Sequence, residues 1–179
     1  MRSRRDFSTS KKRLSLFKLF VLVVVALLLV VCIAVAVLYK QAMNDKEKGF
    51  ARASSNAIDK TELVNTNNVE RFDGKKSFYI VYGKSKDGDK KIVFMPISKK
   101  DKPIIVDESN IVSKQQIINE WQNQCSRCTM IRTSAAMIDE QPLWEITYQD
   151  SSGYYVFQYS SMKDGKTAET FRLANATTQ

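Results

Sequence analysis

The sequence has no histidine at all, and only three cysteines, three prolines and six glycines in 179 residues. Without histidine, His-ligated metal centres, Ser-His-Asp and Cys-His catalysis and the usual neutral-pH proton shuttle are excluded. The six glycines are scattered at turn-like positions, so no Gly-rich loop is present to cradle phosphate. One cysteine, Cys32, lies inside an apolar run, which leaves two for a zinc site that needs four ligands. Carboxylates are plentiful, yet no spacing among them identifies the convergent pair of a glycosidase. The expectation is a protein that is not an enzyme and carries no cofactor.

What the chain does have is residues 20–38, FVLVVVALLLVVCIAVAVL, with no charged, amide or hydroxyl side chain and no Gly or Pro. As a helix this run is about 28 Å long, close to the hydrocarbon thickness of a bilayer. A transmembrane helix over 19–39 is expected, flanked by Lys18 and Lys40, with Tyr39 at the headgroup level. Some features are shared with cleaved leaders: the small-residue Ala34-Val35-Ala36, the pair Arg4-Arg5, and a lipoprotein-like Leu29-Val30-Val31-Cys32. The apolar run exceeds the ~7–15 residues of a signal core and continues past the alanines, which favours an uncleaved anchor.

Seven basic residues precede the span, while a comparable stretch after it holds Lys40, Lys46, Lys48 and Arg52. The positive-inside rule therefore puts the N-terminus in the cytoplasm and the C-terminal domain outside, in a single-pass cell-membrane protein. Of the formal charge of +9, +6 falls in residues 1–18 and +3 in the remainder. The basic excess is thus mainly a topology signal beside membrane lipid. Nucleic acid is not an expected partner, nor is a small-molecule substrate.

The fold class expected is α+β: the N-terminal transmembrane helix followed by two small units, each a helix with an antiparallel sheet. A basic, loosely ordered cytoplasmic tail covers 1–18. A first unit spans 40–109, with a long juxtamembrane helix running to about Val64 and presenting Met43, Phe50, Ala53, Ala57 and Val64 on one face. Asn65-Thr66-Asn67-Asn68 supplies its stop. Strands follow at 69–72, 78–82 and 92–95, with Asp87-Gly88 as a hairpin turn, and at 104–106. A second unit spans 110–174. Ser113 caps a helix over 114–124, and strands are expected at 130–136, 143–148, 154–159 and 168–173. Phe78, Ile80 and Tyr82 are matched to Trp144, Ile146 and Tyr148, as if the plan were repeated. Residues 175–179 are a tail.

Cys125-Ser126-Arg127-Cys128 is the sharpest motif. The pair follows its helix, whereas a redox-active pair sits at a helix N-terminus where the dipole lowers the thiol pKa. A local disulfide pinning the turn is expected outside the cytoplasm, with two free thiols as the alternative. Strand alternation puts Glu145 on the face opposite Trp144 and Ile146, expected to be the solvated one. Aromatics are dense over 144–159. Tyr39, Met43, Trp144, Tyr154 and Tyr155 are the candidate partner contacts.

The juxtamembrane Tyr39-Lys40-Gln41-Ala42-Met43 with Lys46-Glu47 and Gly49, the pair Val69-Glu70, the FYIVYGKSKDG hairpin, and LWEITYQDSSGYYVFQY followed by Asp164-Gly165-Lys166 resemble the TseB-like (YpmB-type) family of Gram-positive cell wall elongation regulators. The resemblance runs over about residues 20–173. It implies an ectodomain of two cystatin-like or PepSY-like units and a regulatory role in peptidoglycan synthesis through a class B penicillin-binding protein, a transpeptidase. It carries no catalytic residues, and the CSRC pair departs from the family's pattern. The alternative is a PepSY-like inhibitor or regulator of an extracytoplasmic peptidase.

Overall fold

The computed structural model describes residues 6–98 and 101–174, with 6–17 as backbone alone. The expected tail at 175–179 lies outside the described residues, as do Arg2, Arg4 and Arg5. A helix α1 (Asp6–Lys60) of 55 residues opens the chain. It starts well before the apolar run, so the loosely ordered tail expected over 1–18 is helical from Asp6 onward. No Gly or Pro interrupts residues 6–17, and once a helix is nucleated, propagation through such residues is cheap. The chain divides into two compact bodies, Met1–Lys48 and Gly49–Gln179. In the first, every residue from 18 to 48 is exposed, including the whole run 20–38.

The second body begins with the last turns of α1. This helix ends at Lys60, four residues short of expectation, and Thr61 closes its last turn. Its backbone N–H and its Oγ1 both donate to the Ala57 carbonyl, at 3.0 and 2.6 Å. Strand β1 (Leu63–Asp73) follows at once and takes in Asn65, Thr66, Asn67 and Asn68. The polar side chains of these four suggest a stop, but in an edge strand the ladder is made by the backbone and such side chains face water. Two register shifts, between Leu63 and Asn65 and between Thr66 and Asn68, let the strand bend. At the first of them the Asn65 carbonyl presses where a Cβ on Gly83 would stand, so only glycine fits opposite.

β1, β2 (Ser77–Ser85), β3 (Lys90–Pro96) and β4 (Ile104–Asp107) form one antiparallel sheet in sequence order. The expected joint near Asn110 falls in the short 3-10 turn Glu108–Asn110. α2 (Lys114–Gln124) starts with a capping box: Gln116 N–H donates to Ser113 Oγ at 3.2 Å, and Ser113 N–H donates to Gln116 Oε1 at 2.9 Å. β5 (Thr129–Ile138), β6 (Gln141–Gln149), β7 (Tyr155–Ser161) and β8 (Thr167–Leu173) make a second sheet, again antiparallel and in order.

The first sheet is buried on both faces. Toward α1, Val81, Val93, Met95 and Leu63 pack on Ala53 and Ala57. On its other face Phe78, Ile80, Ile92 and Phe94 enter a cluster with Ile117 and Trp121 of α2 and with Ala135, Met137, Trp144 and Ile146 of the second sheet. Each of these large side chains contributes roughly 1.5–3 kcal/mol by burial. The face expected for α1 is correspondingly narrower: Ala53 and Ala57 are buried, but Met43 is exposed and Val64 belongs to β1.

The repeat has a register one residue away from the sequence-based match. Counted back from the turn glycines Gly88 and Gly153, which share left-handed φ values of 88° and 83°, Tyr79 and Val81 correspond to Trp144 and Ile146. These are the residues that meet the helix of their own half. A one-residue slip exchanges the two faces of a strand. Phe78, Ile80 and Tyr82 therefore correspond to Leu143, Glu145 and Thr147, which line the face of the second sheet away from α2.

Candidate partner-binding surface

Trp144 is not a surface residue. It is 3% exposed, and its indole N–H donates to the Val112 carbonyl at 2.8 Å, which ties the approach to α2 onto the sheet. Trp121 lies beside Tyr148 with ring centroids 5.3 Å apart. Cys125 caps α2, donating its N–H to the Trp121 carbonyl, and is joined to Cys128 as a disulfide. Of the other candidate contacts, Tyr39 and Met43 are exposed on α1, and Tyr154 and Tyr155 are about two-fifths exposed at one end of the second sheet. Tyr154 lies under the Arg172 guanidinium at 4.4 Å, and Arg172 pairs with Asp150. Burial works against ionisation of Asp150, but the Tyr154 and Ser152 N–H groups and Arg172 outweigh it and hold that carboxylate below the usual range.

The far face of the second sheet is built differently from sequence expectation. Glu145 does point away from Trp144, but it is buried rather than solvated, with 4% of its side chain exposed. Arg132 Nη2 lies 2.7 Å from its Oε1, Thr147 Oγ1 donates to the same oxygen at 3.1 Å, and the Tyr159 hydroxyl donates to Oε2 at 2.8 Å. Cross-strand register explains the gathering: Glu145 faces Ser134 on one side and Tyr159 on the other, and Thr147 faces Arg132. A buried carboxylate needs such partners. Burial first, and then the bond to Glu145, push the Tyr159 hydroxyl far above its ordinary pKa. The Tyr159 ring is thereby fixed, and Phe171 of β8 packs edge-on against it at 5.9 Å.

Beside this cluster opens a cleft of about 510 Å³. Phe72 and Phe171 supply apolar walls, Tyr159 stands at its side, and Glu169 is its neighbour across the β7–β8 ladder. Two hairpin tips frame the mouth: Lys75 Nζ pairs with Asp139 at 3.2 Å and Lys76 Nζ with Glu140 at 3.3 Å. Sequence reading missed this cleft, because Phe72, Phe171 and Glu169 are far apart in the chain and only the strand register brings them together. The structure marks it through Phe171, a large aromatic in a strand whose seven residues are all exposed.

Known proteins share both the sequence and this architecture. Residues 52–96 match the cell wall elongation regulator TseB-like domain. The chain is 31% identical over 156 residues to the probable cell wall elongation regulator TseB of Bacillus subtilis (strain 168), covering 87% of this chain and 94% of that one. In structure it is similar to the YpmB protein from Bacillus subtilis, with a TM-score of 0.64 and 27% identity over 69% of this chain and 97% of the other.

Proposed function

Because this chain belongs to the TseB family of cell wall elongation regulators, we propose that it acts as a single-pass membrane protein that regulates elongation by binding another protein. α1 anchors it with the N-terminus in the cytoplasm, and the two-sheet body works outside. The observation that carries this reading is the run 20–38, apolar without interruption and exposed on every side of α1. In water such a surface would aggregate; in a bilayer it is solvated by lipid. The partner proposed is a class B penicillin-binding protein, and the regulator performs no catalysis of its own.

The test is crosslinking in living cells with the full-length protein, set beside a version whose residues 20–38 are replaced by an unrelated apolar span. Recovery of a penicillin-binding transpeptidase as the main partner is the expected result. Reduced recovery with the exchanged span would place part of the contact within the membrane. Recovery of a peptidase in its place, or of no partner above background, would overturn the reading.

A further inference from the structure

The cleft between Phe72 and Phe171 has a composition that selects its occupant. Its two lysines are already engaged, Lys75 by Asp139 and Lys76 by Glu140. Asp73 is held by the Arg71 guanidinium through three contacts of 2.9–3.0 Å. That leaves Glu169, which among the described residues has no cation within ion-pair distance. Glu169 sits across the ladder from Tyr159, beside the exposed ring of Phe171. An aromatic wall next to an unpaired carboxylate fits a side chain that is apolar along its stem and positive at its tip, which describes Lys and Arg.

We infer that this cleft receives a Lys or Arg side chain of the protein partner, its stem lying on Phe72 and Phe171 and its charged head on Glu169. The inference rests on the proposed function, that the protein acts by binding another protein, and it names where one contact falls. Rigidity of the wall supports it further. The Tyr159 hydroxyl is fixed by Glu145, which Arg132 and Thr147 fix in turn, so the ring against Phe171 needs little ordering when a guest arrives. Among the cleft's charged groups, Glu169 is the one whose charge a guest cation would newly satisfy.

The experiment places a photo-crosslinking benzoylphenylalanine at Phe171 in the full-length protein in cells, and in a separate variant at Tyr39 on α1. Crosslinked segments are identified by mass spectrometry. Expected is a partner segment containing Lys or Arg captured from Phe171, with capture reduced about tenfold by Glu169→Lys and by a smaller factor by Glu169→Gln. Glu169 is exposed, so both variants should retain the thermal unfolding profile of the parent. Capture of a segment without a cation, capture of lipid alone, or capture indifferent to Glu169→Lys overturns the inference. So does a partner captured from Tyr39 but not from Phe171, an outcome that leaves the regulator reading standing. Capture of no protein from either position removes both.

Discussion

A Cβ added to Gly49 would stand 2.6 Å from the Tyr79 hydroxyl oxygen, so the hydroxyl occupies space against the helix that a side chain at residue 49 would make it leave. Phe50, the next residue, packs edge-on against the same ring at 5.9 Å. A glycine that weakens the helix by about 1 kcal/mol relative to alanine is thus compensated by a tertiary contact. Gly49→Ala alone should leave stability unchanged or lower it by up to about 1 kcal/mol, whereas in a Tyr79→Phe background it should raise it by about 0.5–1 kcal/mol. Urea unfolding in detergent micelles, followed by the fluorescence of the two buried tryptophans, would measure that change of sign.

The hairpin joining β5 to β6 turns on Asp139 and Glu140, both left-handed with φ of 46° and 63°. Residues with a Cβ cost about 1 kcal/mol or more there, and glycine does not. The ion pair that Glu140 makes with Lys76 is exposed and is worth at most about 1 kcal/mol. Glu140→Gly should therefore leave stability equal or higher by up to about 1 kcal/mol. A clear fall in thermal midpoint would show that the two hairpin tips hold each other more strongly than exposed charges do.

Glu145 is buried and Arg132 is its one cationic partner among the described residues. Truncating Arg132 leaves a buried charge without its counterpart. Since Arg132 is itself largely exposed, water replaces part of what is lost, and Arg132→Ala should cost about 1–3 kcal/mol. In a Glu145→Gln background the same substitution should cost less by about 1 kcal/mol or more. Equal costs in both backgrounds would mean that Arg132 stabilises the sheet by packing alone.

Burial raises the hydroxyl pKa of Tyr82, Tyr148 and Tyr159, aided at Tyr82 by Glu70 and at Tyr159 by Glu145. The folded state thus holds these protons after the unfolded chain, with its tyrosines near pKa 10, has released them. Stability from this source is complete below about pH 10 and declines as pH rises above it. Tyr82→Phe should flatten that alkaline decline in a series of urea midpoints from pH 8 to 11. An unchanged slope would locate the decline elsewhere.

Patterning that depends on local residues was readable in advance. The apolar helix over 20–38, the helix over Lys114–Gln124 with its Ser113 cap, and the hairpin at Asp87-Gly88 all follow from hydropathy, capping and turn chemistry within a few residues. Failures came where a distant residue decides. Asn65 to Asn68 read as a stop because their side chains are polar, but the β2 backbone recruits them. Glu145 read as solvated because alternation gives a face but does not reveal what stands on it; Arg132 and Tyr159 do. Trp144 stood among the candidate partner contacts, in a stretch whose aromatics are mostly core, until the Val112 carbonyl took its N–H. The cleft at Phe72, Glu169 and Phe171 brings β1 of the first sheet against β8 of the second, and no local periodicity encodes it.

The shared cluster of Phe78, Ile80, Ile92 and Phe94 with Trp121, Trp144 and Ile146 sets a timetable for synthesis. β3 ends at Pro96, but the side chains that cover the first sheet's inner face begin with Ile117 of α2 and are complete only with β6, some fifty residues later. At about 5–20 residues per second, that face waits several seconds before it can close. A newborn chain therefore carries a sticky half-finished sheet through that interval. The anchor proposed for α1 would hold that sheet at the membrane, away from other unfinished copies, before any regulation begins.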